Sequence, residues 1–119
     1  MKKIALILGA SEGLGYACAK ALVEEDVYVC LVSRNKEKLK SAVDKLNTIS
    51  KDHAISFTGD LSDASLIHDA TNYVSSKWGS INILINSNGG PKPGSVSHLS
   101  DQDWIESFNL FALPVFRAI

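Results

Sequence analysis

The chain has little of several things, and each shortage narrows the reading. It carries only two cysteines, Cys18 and Cys30, in 119 residues. One falls in an expected helix and the other in an expected strand. A disulfide scaffold therefore has no footing, and both read as small buried hydrophobes of a reduced, cytoplasmic protein. No apolar run approaches the roughly 20 residues of a membrane span. The start, Met1-Lys2-Lys3 followed by five apolar residues, is too short for a secretory core segment. A formal net charge of -1 leaves no electrostatic case for nucleic acid or an anionic membrane surface as partner. His53, His68 and His98 are scattered without metal-ligand spacing, so no metal is expected, and Asp60, Asp63 and Asp69 read as charges at a helix start. There is no Ser/His/Asp set with a nucleophile elbow. No internal repeat, low-complexity tract or linker divides residues 1–119, which read as one domain.

What the chain does have is alternation. Strand-like runs cover Lys3–Leu8, Val27–Val32, Ala54–Thr58 and Ile81–Ile85. The second is apolar at nearly every position, as expected of a strand covered on both faces. Between the strands, Leu14, Ala17, Cys18, Ala21 and Leu22 recur at helical spacing. So do Leu39, Ala42, Val43, Leu46 and Ile49, and then Leu66, Ile67, Ala70, Tyr73 and Val74. Ser62 is the expected N-cap of the third helix, and Ser100-Asp101-Gln102-Asp103 opens a fourth. Strands alternating with helices imply an α/β fold with parallel pairing.

The first strand runs straight into Gly9-Ala10-Ser11-Glu12-Gly13-Leu14-Gly15 and then into a helix. That order presents backbone N–H groups and a helix N-terminus to a phosphate. Gly9 accepts turn dihedrals that a side chain resists, Gly13 admits a close pyrophosphate, and Gly15 lets helix and strand pack tightly. The same residues also suit a plain tight connection between a strand and a helix. Three further groups follow the later strands: Ser33-Arg34, Gly59-Asp60-Leu61-Ser62, and Asn86-Ser87-Asn88-Gly89-Gly90. Trp104, Phe108 and Asn109 lie in the fourth helix, where Trp104 and Phe108 are expected to meet the core or a partner helix.

In order and spacing, these motifs resemble the short-chain dehydrogenase/reductase family from residue 4 to the end. The family's first turn reads T-G-x-x-x-G-x-G, with Leu8 here in the place of Thr. The stretch Gly89 to Gly94 is similar to oxoacyl-carrier-protein-reductase-like members. The resemblance implies a Rossmann-like doubly wound parallel sheet, N-terminal part only, with four strands in the order 3-2-1-4 and four helices. It implies that Gly9, Ser11, Gly13, Leu14 and Gly15 cradle a dinucleotide pyrophosphate. Ser33 and Arg34 then meet the adenosine ribose about 20 residues past the glycine turn. An acid there would hold the 2′-hydroxyl of NAD, whereas a guanidinium pairs with the 2′-phosphate of NADP. Lys36 and Lys38 add positive charge nearby. NADP(H) is thus expected over NAD(H), although Glu12 stands where related NADP enzymes often carry a basic residue and a loop arginine is also common. Asp60, with Leu61, is implied at the adenine, although an Asp at a strand end is also an ordinary cap. Asn86 and Gly89 are implied at the ribose side. Asn109 aligns with the asparagine that holds a water in the family's proton relay, in competition with a purely structural hydrogen bond.

The family moves a hydride between nicotinamide and a carbonyl or alcohol carbon, with a tyrosine, a lysine and a serine handling the proton and the substrate oxygen. The tyrosine and lysine sit as Y-x-x-x-K on a fifth helix. Here the spelling occurs only as Tyr16 to Lys20 and Tyr73 to Lys77, on the first and third expected helices. The 119 residues, ending inside the fourth helix, are therefore expected to bind NADP(H) without catalysing. The parent is expected to be a homo-oligomer acting on a small carbonyl or alcohol substrate. Two other readings stay open: a non-catalytic NADP-binding sensor or partner module, and an inactive structural fragment prone to associate through an exposed strand edge.

Overall fold

The computed structural model describes residues 2–87 and 94–119. The elements alternate as β1 (Ile4–Leu8), α1 (Gly13–Glu24), β2 (Tyr28–Ser33), α2 (Lys36–Ile49), β3 (Ala54–Thr58), α3 (Leu66–Lys77) and β4 (Ile83–Asn86). All pairings are parallel and the strand order is β3-β2-β1-β4, as expected from the sequence. Strand boundaries shift by one or two residues at β1, β2 and β4.

The period-two alternation of the central strands sorts their side chains into two cores. Ala5 and Ile7 of β1 and Val29 and Leu31 of β2 pack with Ala19, Val23, Leu39, Ala42 and Leu46 of α1 and α2. Ile4, Leu6 and Leu8 with Cys30 and Val32 face the other way, onto Leu66, Ile67, Ala70 and Val74 of α3. A strand covered on both faces needs an apolar residue at every position, and that is why β2 reads as one continuous run. Burial pushes the Cys30 thiol up to about 12, so it stays un-ionised and unreactive.

The expected packing stripe of α1 is wrong. The buried residues are Gly15, Ala19 and Val23, whereas Leu14 is 82% exposed and Ala17 and Ala21 face water. The cause is the glycine turn. A Cβ on Gly15 would lie 2.6 Å from the Gly9 carbonyl oxygen and 2.9 Å from the Ala10 Cα. Gly15 is therefore the point of closest approach, and it fixes the helix phase so that i+4 and i+8 follow it inward.

The expected cap of α3 is also wrong. Ser62 donates both its N–H and its hydroxyl to Asp60 Oδ1, at 2.9 and 2.8 Å. Ser65 does the same with Asp63 Oδ1. Two successive Asx turns thus use up these hydroxyls, and α3 starts only at Leu66.

Ser100 does cap the fourth helix, in a capping box with Asp103. That helix is not uniform. α4 (Asp101–Ser107) passes into a π-helical segment, Phe108–Ala112, and then into α5 (Leu113–Ala118). Pro114 has no N–H to give and its ring crowds the carbonyl four residues back, so the preceding turn widens to take in an extra residue. Trp104 and Phe108 do not join the core: they are 51% and 50% exposed. No helix among the described residues is long and apolar enough to cross a membrane.

The amino ends of the strands are closed by polar and aromatic contacts. Asn47 pairs with both backbone groups of Ala54, and Asn82 Oδ1 accepts the Ile4 N–H. His53 stacks on Tyr28 with ring centroids 4.0 Å apart, and Trp78 meets Tyr28 edge-on. The His53 Nδ1 lies 2.9 Å from the Lys51 carbonyl oxygen and its Nε2 lies 2.7 Å from Asp26 Oδ1. Both partners are acceptors, so both ring nitrogens must donate, which only the imidazolium can do. The Lys51 carbonyl, with the Asp26 and Asp52 carboxylates, accordingly raises the His53 pKa above its ordinary 6.5, against the opposing effect of burial. The Lys2 ammonium over the Tyr28 ring is the opposing charge nearby. A raised folded pKa stabilises the fold fully below the unfolded value, and the gain is lost as pH rises through the folded value. Thermal unfolding should therefore show wild type losing more stability than His53→Gln between about pH 5.5 and pH 8. Equal losses would remove the imidazolium from the account.

Candidate functional site

The four strands end at Leu8, Ser33, Thr58 and Asn86, on one edge of the sheet. Every group singled out by sequence in the first 90 residues follows one of those ends. This is the edge where open parallel sheets bind ligands, at the crevice where strand order reverses, here between β1 and β4.

Gly9 has φ 77° and donates its N–H to the Val32 carbonyl at 2.8 Å, tying the turn to β2. Gly13 opens α1 with φ 68°, and a Cβ there would meet nothing within 4 Å. The backbone at Gly13 is thus bare on the side a Cβ would occupy. Leu14 projects from the first turn of α1. Glu12 precedes the helix in extended conformation and makes no side-chain cap, so its carboxylate does not occupy the helix N-terminal donors.

Ser11 and Ser33 meet across the turn, Oγ to Oγ at 3.4 Å. They line a cleft of about 540 Å³ together with Glu12, Arg34, Asn35 and Lys38. Asn35 caps α2 by accepting the Lys38 N–H at 3.0 Å, which holds the start of that helix against the cleft. The Lys38 ammonium reaches the Glu12 carboxylate at 3.0 Å. Asn35 and this ion pair were missed by sequence reasoning. The Asn35 cap was open to discovery from its three-residue spacing, whereas the pair joins residues 26 apart.

The Gly59 N–H donates to the Ser33 carbonyl, which brings Asp60 beside β2. The Ser62 N–H and hydroxyl hold the Asp60 carboxyl below the usual carboxylate range, and the Arg34 guanidinium adds to this. Asp60 is exposed, and its Oδ1 carries the Ser62 bonds. Leu61 instead packs against the core beneath α3. Asn86 is exposed at the end of β4, in register with Leu8. Asn109 is exposed in the π-helical segment, on a separate element. Gly89, with Asn88 and the Pro91-Lys92-Pro93 stretch, lies outside the described residues. Neither Y-x-x-x-K pair faces the cleft: Lys20 pairs with Glu24 at 4.0 Å, and Tyr73 packs on Phe57 with Lys77 near its ring. Tyr16 lines a smaller hollow of about 280 Å³ between α1 and α2. Among the described residues no group of three or more His, Cys, Asp or Glu side chains gathers to hold a metal.

A family model described as short chain dehydrogenase matches residues 3–119. The 2,3-dihydro-2,3-dihydroxybenzoate dehydrogenase of Bacillus subtilis is 35% identical over 116 residues, which is 98% of this chain and 44% of that protein. The 3-oxoacyl-[acyl-carrier-protein] reductase FabG of Staphylococcus aureus is 28% identical over 120 residues, all of this chain and 48% of its own length. Among solved structures, YwfH, an NADPH dependent reductase involved in bacilysin biosynthesis, superposes with a TM-score of 0.92 at 25% identity, covering 100% of this chain and 47% of that one. The chain thus spans about half the length of the curated relatives it matches. With the family model running through residues 3–119, the chain belongs to the short-chain dehydrogenase family.

Proposed function

We propose that this chain forms the NADP(H)-binding part of a short-chain oxidoreductase. The observation that carries the reading is the cleft beside the glycine turn. Its lining offers the guanidinium of Arg34, the hydroxyls of Ser11 and Ser33, and one acid, Glu12, whose charge is met by Lys38. A 2′-hydroxyl alone calls for an acceptor at this place, whereas a 2′-phosphate calls for cations and donors. The similarity to an NADPH dependent reductase supports the same choice.

The residues fit such a cofactor. The bare backbone at Gly13 and the close helix approach at Gly15 leave room for the pyrophosphate against the start of α1, with Gly9, Ser11 and Leu14 around it. Asp60 stays ionised and accepts a hydrogen bond from the adenine amino group, above the packed Leu61. Asn86 borders the ribose, and the Asn109 amide, in a widened helical turn of the kind often found at functional sites, holds a water of the proton relay. When bound, the nicotinamide supplies or accepts the hydride exchanged with a small carbonyl or alcohol substrate. Neither Y-x-x-x-K pair of this stretch is placed to move the accompanying proton, so these 119 residues bind the cofactor without turning it over. The inert Cys30 suits a reduced, cytoplasmic setting. The exposed apolar side chains of α4 and α5 suit an oligomeric whole protein.

Calorimetric titration tests the reading. Wild type should bind NADPH more tightly than NADH, and Arg34→Gln should lose about tenfold in NADPH affinity with NADH little changed. Tighter binding of NADH by wild type would overturn the assignment.

A further inference from the structure

The Glu12–Lys38 ion pair stands at the mouth of the cleft, between the phosphate turn and the start of α2. Glu12 is the residue that most opposes an anion here. It lies between Ser11 and Gly13, where a phosphate must pass, and no helix donor binds its carboxylate. Lys38 is its counter-ion, and the two side chains are 72% and 52% exposed, so water screens the pair and leaves it weak. A phosphate monoester carries about two negative charges and three acceptor oxygens, a stronger attraction for an ammonium than one exposed carboxylate. Lys38 lines both neighbouring hollows, beside the space a ligand would fill.

We infer that Glu12 and Lys38 form an exchangeable ion pair that sets the coenzyme preference of the site. Lys38 masks Glu12 while the cleft is empty of phosphate, and turns to the 2′-phosphate when that group arrives beside Arg34. A ligand with a bare 2′-hydroxyl gives Lys38 no reason to leave Glu12, so the pair stays closed. This deepens the NADP(H) reading and rests on it. With Glu12 present, part of the attraction between Lys38 and the phosphate is spent on breaking the pair, so the loss of Lys38 costs less than it does once Glu12 is gone. Removing Glu12 abolishes that competition and exposes the full attraction between Lys38 and the phosphate.

The fragments adenosine 2′,5′-bisphosphate and adenosine 5′-monophosphate isolate the 2′-phosphate. Both residues are on the surface, so Lys38→Met and Glu12→Gln should leave the fold intact, as circular dichroism and urea unfolding would verify. By calorimetry, Lys38→Met should weaken the bisphosphate about fivefold and the monophosphate less than about twofold. In the Glu12→Gln background, where no pair has to break, the same Lys38→Met change should weaken the bisphosphate about thirtyfold. Glu12→Gln alone should tighten the bisphosphate modestly. Equal losses for both ligands, or a Lys38→Met loss no larger in the Glu12→Gln background than in wild type, would overturn the exchange while leaving the NADP(H) assignment in place. A wild-type chain that bound neither fragment would overturn both.

Discussion

Gly15→Ala should destabilise the fold by about 3 kcal/mol and abolish cofactor binding with it. The added methyl would sit 2.6 Å from the Gly9 carbonyl oxygen, 2.9 Å from the Ala10 Cα and 3.2 Å from the Ser87 Cβ. Two of those atoms belong to backbone that cannot swing aside, and relief requires α1 to lift off the ends of β1 and β4. Lifting α1 displaces the N-terminal donors from the turn and opens the core at Ala19 and Val23, which follow Gly15 at intervals of one helical turn. Gly13→Ala makes the contrast. Its Cβ meets nothing within 4 Å, and the cost comes only from φ 68°, about 1 kcal/mol. Urea unfolding of the two variants distinguishes steric exclusion from backbone strain. A Gly15→Ala protein as stable as Gly13→Ala would mean that the helix does not approach the strand as described.

Leu31→Ala should cost about 3 to 4 kcal/mol. Leu31 is fully buried at the centre of β2, within the core formed with α1 and α2, so truncation leaves a cavity the surrounding helices cannot collapse into. Leu14→Ala, at 82% exposure, should stay within about 0.5 kcal/mol of wild type. Denaturant midpoints should separate the pair clearly at an unchanged slope. A large loss at Leu14 would restore the packing stripe that periodicity alone suggests.

That stripe illustrates where the sequence is legible. Strand identity could be read because a doubly covered strand must be apolar throughout and the glycine turn marks the switch from strand to helix, whereas the strand order came from the family resemblance. The orientation of α1 could not be read by counting apolar residues, since Gly15 adds no hydrophobicity yet is the residue that touches the sheet. Ser62 looked like a cap because it is a hydroxyl before a helical pattern, but Asp60 lies two residues earlier and captures it. At the candidate site, Arg34 and Ser33 were visible from their place after β2. The neutralisation of Glu12 was not, because Lys38 reaches it through the fold rather than along the chain. The widened turn at Phe108–Ala112 was not read from the sequence, because the effect of Pro114 falls on the residues before it.

The position of β1 has a consequence for how the molecule assembles. It is made first, yet it lies between β2 and β4, and its Ile4 N–H is satisfied by Asn82, 78 residues away. During synthesis β1, β2 and β3 can pair as they emerge, but one flank of β1 stays open until β4 has left the ribosome. Contacts of such long sequence separation close late and slowly, because a large loop must be ordered before they form. The crevice between β1 and β4 therefore cannot close until β4 has emerged, well after the other flank of β1 can pair with β2.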